Sequence, residues 1–228
     1  MDASLIVFAK VPRPGAVKTR LTPVLTPTEA ARLYEAFLRD ALQLYARLTA
    51  DVRLYLAPPF DSPMEWIPAS VEVYEQQGAG LGGRMKHAFR ETLADGIDRA
   101  SIVGTDHPTL PLSFIRQSFE GLELPQSVCI GPSEDGGFYL LGMNDFYPQL
   151  FEGMTYSHGS VFSDTLARLE QTDARLTVLP QWYDVDTPGT LERMIQDLED
   201  GAVDAPHTRE TLESLQLHDL PRTQEHSS

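Results

Sequence analysis

Short, uninterrupted apolar runs alternate along this chain with segments of helical spacing, and that alternation limits the fold more than any other feature. Leu5-Ile6-Val7-Phe8-Ala9 is apolar throughout and ends in a Pro/Gly loop, as a strand covered on both faces does. Beyond the loop, Thr26 predicts an N-cap, Pro27 suits the first helical position, and Glu29 completes a capping box. Leu33, Phe37, Leu38, Ala41, Leu42, Tyr45 and Leu48 then recur at helical spacing and give that helix one apolar face. Further strands are expected at 52–57, 71–74, 101–104, 128–131, 138–141 and 176–179, and helices at 83–93, 111–122, 160–171 and 187–198. The pattern predicts an α/β fold: a three-layer α/β/α sandwich around a mostly parallel central sheet.

With 228 residues, 42% hydrophobic and 22% charged, the chain is expected to form one domain over residues 1–200. Residues 201–228 read as a polar, loosely ordered tail with one short helical pattern at 208–217. A domain of this size folds without disulfides or structural zinc, and the single Cys129 lies in an apolar run that reads as a buried strand. Thirty-three acids against 18 bases give a net charge of −15, which repels nucleic acid and sets that class of partner aside. The N-terminal residues carry no basic leader or small-residue cleavage site. No stretch approaches the roughly 18 consecutive apolar residues of a membrane helix, so a cytoplasmic protein without a membrane partner is expected. The apolar face of the first helix could pack internally or across a homodimer, and periodicity leaves both open.

In an open parallel sheet, ligands bind beyond the carboxyl ends of the strands, so the loops leaving those ends carry the functional candidates. The first holds Lys10, Arg13, Gly15, Lys18, Thr19 and Arg20, four cations within eleven residues of an otherwise acidic chain. A Pro/Gly-stiffened loop presenting Lys and Arg suits phosphate oxygens. It is not a P-loop, because Val17 stands where the glycine before the lysine is needed. The second loop holds Gly78, Gly80 and Arg84, whose glycines let backbone approach a flat or anionic ligand. It is not the dinucleotide fingerprint, which belongs after the first strand of such a fold; a structural turn is the competing reading.

The third loop is Gly104-Thr105-Asp106-His107-Pro108. A carboxylate at the end of a buried strand is costly unless solvated, paired or metal-bound, which favours Asp106 as a metal ligand over a helix cap. His107 reads as structural or solvent-facing. In the fourth, Asp184 and Asp186 alternate along an extended segment, share one face and call for a positive charge between them; Mg²⁺ or Mn²⁺ held by carboxylates and substrate phosphates supplies one. Asp186 or Thr187 also suits the cap of the following helix. A further loop, Glu134-Asp135-Gly136-Gly137, could hold an acceptor or contribute a base, with an ordinary Asp-Gly turn as the alternative.

Taken together, residues 4–200 resemble the nucleotide-diphospho-sugar transferase superfamily with the GT-A fold. Within it they are similar to bacterial glycosyltransferase-like proteins, also labelled radical-SAM/selenodomain-associated transferases. The marks are the Lys10–Leu21 loop, Gly104-Thr105-Asp106-His107-Pro108, Asp135-Gly136-Gly137-Phe138-Tyr139-Leu140-Leu141-Gly142 and Asp184-Val185-Asp186-Thr187-Pro188, in that order. The resemblance implies that Asp106, Asp184 and Asp186 bind the divalent metal that grips the donor phosphates. Lys18-Thr19-Arg20-Leu21 looks like the phosphate-gripping loop of phospholactate-type guanylyltransferases, which points to nucleotidyl transfer, whereas the family label points to glycosyl transfer.

The expected function is therefore metal-dependent transfer from a nucleotide or nucleotide-sugar donor to a small-molecule acceptor. Glycosyl transfer is the first reading, with Lys18 and Arg20 neutralising the departing diphosphate and Asp135 or Glu134 as general base. Nucleotidyl transfer to a phosphorylated or carboxylated acceptor is the second, and a non-catalytic nucleotide-binding protein the third.

Overall fold

The computed structural model describes residues 2–59, 64–156, 158–201 and 203–217. Its elements run β1 (Ala3–Ala9), α1 (Pro27–Tyr45), β2 (Asp51–Leu56), β3 (Glu72–Glu75), α2 (Gly80–Ala94), β4 (Arg99–Val103) and α3 (Leu112–Glu120). They continue with β5 (Ser127–Pro132), β6 (Phe138–Met143), α4 (Val161–Leu169), β7 (Arg175–Val178), α5 (Pro188–Glu199) and α6 (Pro206–Ser214). The strands form one sheet in the order β3-β2-β1-β4-β6-β5-β7. β6 is antiparallel to both its neighbours, and the other pairs are parallel.

The uninterrupted apolar run of β1 is explained by burial on both sides. Leu5 and Val7 pack with Leu38 and Leu42 of α1 and Ile115 of α3, while Ile6 packs with Met85 and Phe89 of α2. The rest of α1 faces a third cluster, where Leu33 and Phe37 meet Leu191, Met194 and Leu212 of α5 and α6. Of the two alternatives for the apolar face of α1, the internal one therefore holds: these side chains are buried within the chain itself. The helix starts as expected, with Thr26 and Glu29 exchanging both capping-box hydrogen bonds. Cys129 is fully buried in β5, and burial pushes its thiol up to about 12. Among the described residues, no helix is long and apolar enough to cross a membrane.

Two expectations are corrected. α2 begins at Gly80 rather than Gly83, so the later glycines form its first turn instead of a loop. Close packing requires Gly78 just before the helix: a Cβ there, where φ is +125°, would lie 2.6 Å from the Gly83 backbone. The tail is not loosely ordered over 206–214, where α6 packs on α1 with Thr208 and Leu212 buried. The helical pattern at 208–217 marked this helix two residues late. Its anchor lies far away in sequence. Asp40 of α1, 4% exposed, accepts hydrogen bonds from the Thr208 hydroxyl (2.6 Å) and from the backbone N–H groups of His207 (3.0 Å) and Thr208 (2.7 Å). A polar helix held by one distant carboxylate shows little apolar periodicity. Residues 218–228 of the expected tail lie outside the described residues.

Asp40→Ala removes an acceptor shared by three donors at the start of α6. The expected outcome is a loss of about 1–2 kcal/mol, seen as a lower urea midpoint. An unchanged midpoint would contradict the anchoring role of Asp40.

Candidate functional site

The strand order reverses between β1 and β4, which opens a crevice at the carboxyl ends of these two strands. β6 runs the other way, so the 133–137 turn between β5 and β6 reaches the same end of the sheet. The segment after β7 crosses back to it. Trp182 bridges Ser133, and the Val185 N–H donates to the Asp106 carbonyl at 2.8 Å. Loops remote in sequence thus line one cleft of about 930 Å³, within the usual size of small-molecule sites.

At its centre the Lys18 ammonium donates to both Asp106 and Asp186, the latter at 3.0 Å. The lysine side chain is 2% exposed, whereas those of Asp106 and Asp186 are 47% and 37% exposed. Burial by itself would lower the lysine's pKa, but the two carboxylates outweigh it and hold the ammonium above its ordinary value. Burial likewise opposes ionisation of Asp106, and Lys18 overcomes it, so that carboxyl lies below its usual range. Asp186 is free for this contact because Thr187, not Asp186, caps α5 in a reciprocal box with Thr190. Tyr34 of α1 braces the arrangement. Its hydroxyl accepts the Lys10 N–H at 3.0 Å and lies 2.7 Å from the Thr105 hydroxyl, joining the ends of β1 and β4.

Asp184 is engaged elsewhere. One oxygen accepts from the Ser133 hydroxyl, and the other lies 2.8 Å from Nδ1 of His107, in ion-pair contact without hydrogen-bond alignment. His107 is buried, which would lower its pKa, but Asp184 more than compensates and raises it. The same pairing lowers Asp184 against the opposing effect of its burial. Asp106, Asp184 and Asp186 therefore do not form one three-carboxylate cage. Among the described residues, no three His, Cys, Asp or Glu side chains gather as a metal site would require. Asp106 and Asp186 do converge on one cation, and two carboxylates completed by substrate phosphates are a usual way to hold Mg²⁺. The residues fit a divalent ion in that mode.

The other candidates divide. Lys10, Thr19 and Arg20 line the cleft beside Lys18; Arg20 is 4.0 Å from Asp186. Gly80 and Arg84 line it from α2. Arg84 has a buried Nε without a hydrogen-bond partner and a 3.4 Å contact from its guanidinium to Gln76 Oε1. At the far end are Asp135 and Gly137, with the Gly137 N–H donating to Asp135 at 2.9 Å. Arg13, Gly15, Gly78 and Gly136 do not line it. Gly136, φ +86°, packs where a Cβ would meet the Gly159 carbonyl at 2.1 Å. Glu134 turns away to α5 and forms a two-oxygen pair with Arg193, 2.9 Å each. That guanidinium stacks 3.8 Å from the Tyr183 ring centroid. Adjacent residues in a turn point apart, which a sequence motif does not show.

Sequence reasoning gave no site role to His107, Ser133, Tyr34 or Gln76. Gln76 is buried and donates to the carbonyls of Ala9 and Tyr55, so its oxygen is held towards Arg84. The available cue for His107 was its place beside Asp106, and for Tyr34 a polar tip on an otherwise apolar helix face.

Comparison with known proteins follows the same lines. Residues 40–158 match the family described as "uncharacterized protein conserved in bacteria" (DUF2064). Among solved structures, the chain is similar to a "putative nucleotide-diphospho-sugar transferase" from Desulfovibrio desulfuricans G20. The identity is 31% and the TM-score 0.84, over 96% of this chain and 100% of the other. More distant likeness, of fold alone, links it to a nucleotidyl transfer protein of Methanothermobacter thermautotroptrophicus (16% identity, TM-score 0.56, 92% and 99% covered). Another such neighbour is 4-diphosphocytidyl-2C-methyl-D-erythritol synthase (10% identity, TM-score 0.55, 85% and 97% covered). No curated protein matches the sequence.

Lys18→Met leaves Asp106 and Asp186 facing each other without their cation. In the native protein the lowered pKa of Asp106 contributes stability above the unfolded value, lost as pH falls through the folded one. In the variant the two carboxylates repel each other, and charge on both destabilises as pH increases. The gap between the two proteins is expected to be about 2 kcal/mol near neutral pH and to close towards about pH 4. Thermal melts across that range check it; a gap that widens on acidification would contradict the pairing.

Proposed function

The chain belongs to the DUF2064 family, and from that premise we propose that it transfers a glycosyl group from a nucleotide-sugar donor to a hydroxyl of a small acceptor. One observation carries the reading: several cations, a converging carboxylate pair and a separate turn carboxylate line the same cleft. Lys10, Lys18, Arg20 and Arg84 line the part contributed by the loop after β1 and by α2, with Asp106 and Asp186 paired to Lys18, while Asp135, Ser133, Tyr139, Tyr156 and His158 line the part contributed by later segments. A nucleoside diphosphate suits the first part. A sugar and a hydroxylated acceptor suit the second, where the Asp135 carboxylate disfavours a phosphorylated or carboxylated acceptor. The 31% identity to a protein named as a nucleotide-diphospho-sugar transferase supports the same reading.

In this reading Asp106 and Asp186 would hold Mg²⁺ or Mn²⁺, which supplies positive charge to the donor phosphates when bound. Lys18 and Arg20 bind the same phosphates and stabilise the charge that grows on the leaving diphosphate. Asp135 keeps one oxygen on the Gly137 N–H and offers the other to the acceptor hydroxyl as general base. The acceptor oxygen bonds to the anomeric carbon, its proton passes to Asp135, and the bond from that carbon to the β-phosphate oxygen breaks. Nucleotidyl transfer is the second reading, favoured by the grouping of Lys10, Lys18 and Arg20 on one loop, which is enough charge for a triphosphate.

The test is a panel of nucleotide sugars and nucleoside triphosphates with Mg²⁺ or Mn²⁺, scored for binding and then for slow donor breakdown by product. Glycosyl transfer predicts release of nucleoside diphosphate; release of pyrophosphate from a triphosphate would replace it with the second reading. Binding without breakdown of any donor would favour a non-catalytic nucleotide-binding protein. Asp106→Asn is expected to lower turnover about 100-fold or more while keeping its fold, since Asp186 still neutralises Lys18. Full turnover in that variant would remove Asp106 from the mechanism.

A further inference from the structure

Lys18 is held more firmly than gripping a phosphate requires. Its backbone is left-handed, φ 48° and ψ 36°, a conformation that costs a non-glycine residue about 1 kcal/mol. Buried Val17 and Leu21 pin the chain on either side. The ammonium is 5.9 and 5.8 Å from the ring centroids of Tyr34 and Phe37, and its side chain is 2% exposed. It ends at the point where carboxylates from two loops converge. Arg20, two residues on, stays 74% exposed and shows how a merely electrostatic cation on this loop is placed.

We propose that Lys18 is a tethered counter-cation that reserves the Asp106–Asp186 pair, so that a divalent ion enters only together with a phosphate-bearing ligand. The ammonium and a divalent ion held by the same two carboxylates exclude one another. A free ion must therefore displace a buried ammonium and leave it without partners, which is costly. Ligand phosphates change the balance by giving the ammonium new acceptors. Metal and ligand then bind with positive coupling, each strengthening the other by the same factor. The device also suppresses capture of stray cations by an acidic chain. It rests on the donor reading above only for the nature of the ligand.

The test is titration of the nucleotide-free protein with Mn²⁺, with free ion read by electron paramagnetic resonance and stability read by thermal melting. The native protein is expected to bind Mn²⁺ no tighter than millimolar and to show no rise in Tm. Lys18→Met is expected to gain about tenfold or more in affinity and to be stabilised by the ion. The double variant Lys18→Met/Asp106→Asn should lose that gain. Lys18→Gln serves the same comparison should Lys18→Met not fold. Native protein that takes up Mn²⁺ as tightly as the lysine variants, or folded variants that gain nothing, overturn the proposal. Because no nucleotide is present, failure of the donor assay does not bear on this result.

Discussion

Three carboxylates are brought to one end of the sheet by loops that have no contact in sequence, and their mutual repulsion is the constraint around which the rest is built. Asp106 arrives on the end of β4, and Asp184 and Asp186 arrive on the segment that crosses back after β7. The chain meets this with a lysine and a histidine of its own. Lys18 neutralises Asp106 and Asp186, and His107 lies against Asp184. Buried Lys18 would not stay charged at its depth without Asp106 and Asp186, and those two acids would not converge without it. The same contacts fasten the loop after β1 to the end of β4 and to the segment leading into α5. Electrostatics and topology therefore describe one arrangement.

The surrounding structure keeps that centre in register. Tyr34 joins the ends of β1 and β4 through Lys10 and Thr105. Tyr183 accepts from the buried Thr109 hydroxyl, tying the turn after Asp106 to the entry of α5. Thr187 takes over the capping of α5 and leaves Asp186 to the cleft. These supports come from helices and buried side chains, so the groups in the cleft are set by the rigid part of the molecule. The outcome is a chain of net charge −15 that gathers Lys10, Lys18, Arg20 and Arg84 around the carboxylates of one cleft.

Much of the fold was legible because its signals are local. A strand buried on both faces must be apolar throughout, and β1 is; a helix with one buried face must repeat at its own period, and α1 does. The antiparallel course of β6 was not legible, since Leu140 and Leu141 are equally apolar in either direction. For α6 a short helical pattern was legible but its docking was not, since its anchor, Asp40, is separated from it by most of the chain. In the cleft, the candidate loops were legible as departures from a local norm: four cations in an acidic chain, and a lone carboxylate at a strand end.

What the sequence by itself determined is which segments become strands and helices, and which loops carry residues too costly to be accidental. Those follow from short-range periodicity and from the price of burying charge. Only the tertiary structure decided which partner each charge has. Lys18 stands between Asp106 and Asp186, His107 is matched to Asp184, and Glu134 is given to Arg193 while its neighbour Asp135 faces the cleft. Charge pairing depends on distances between loops that only the order of strands sets, and no local pattern encodes that order.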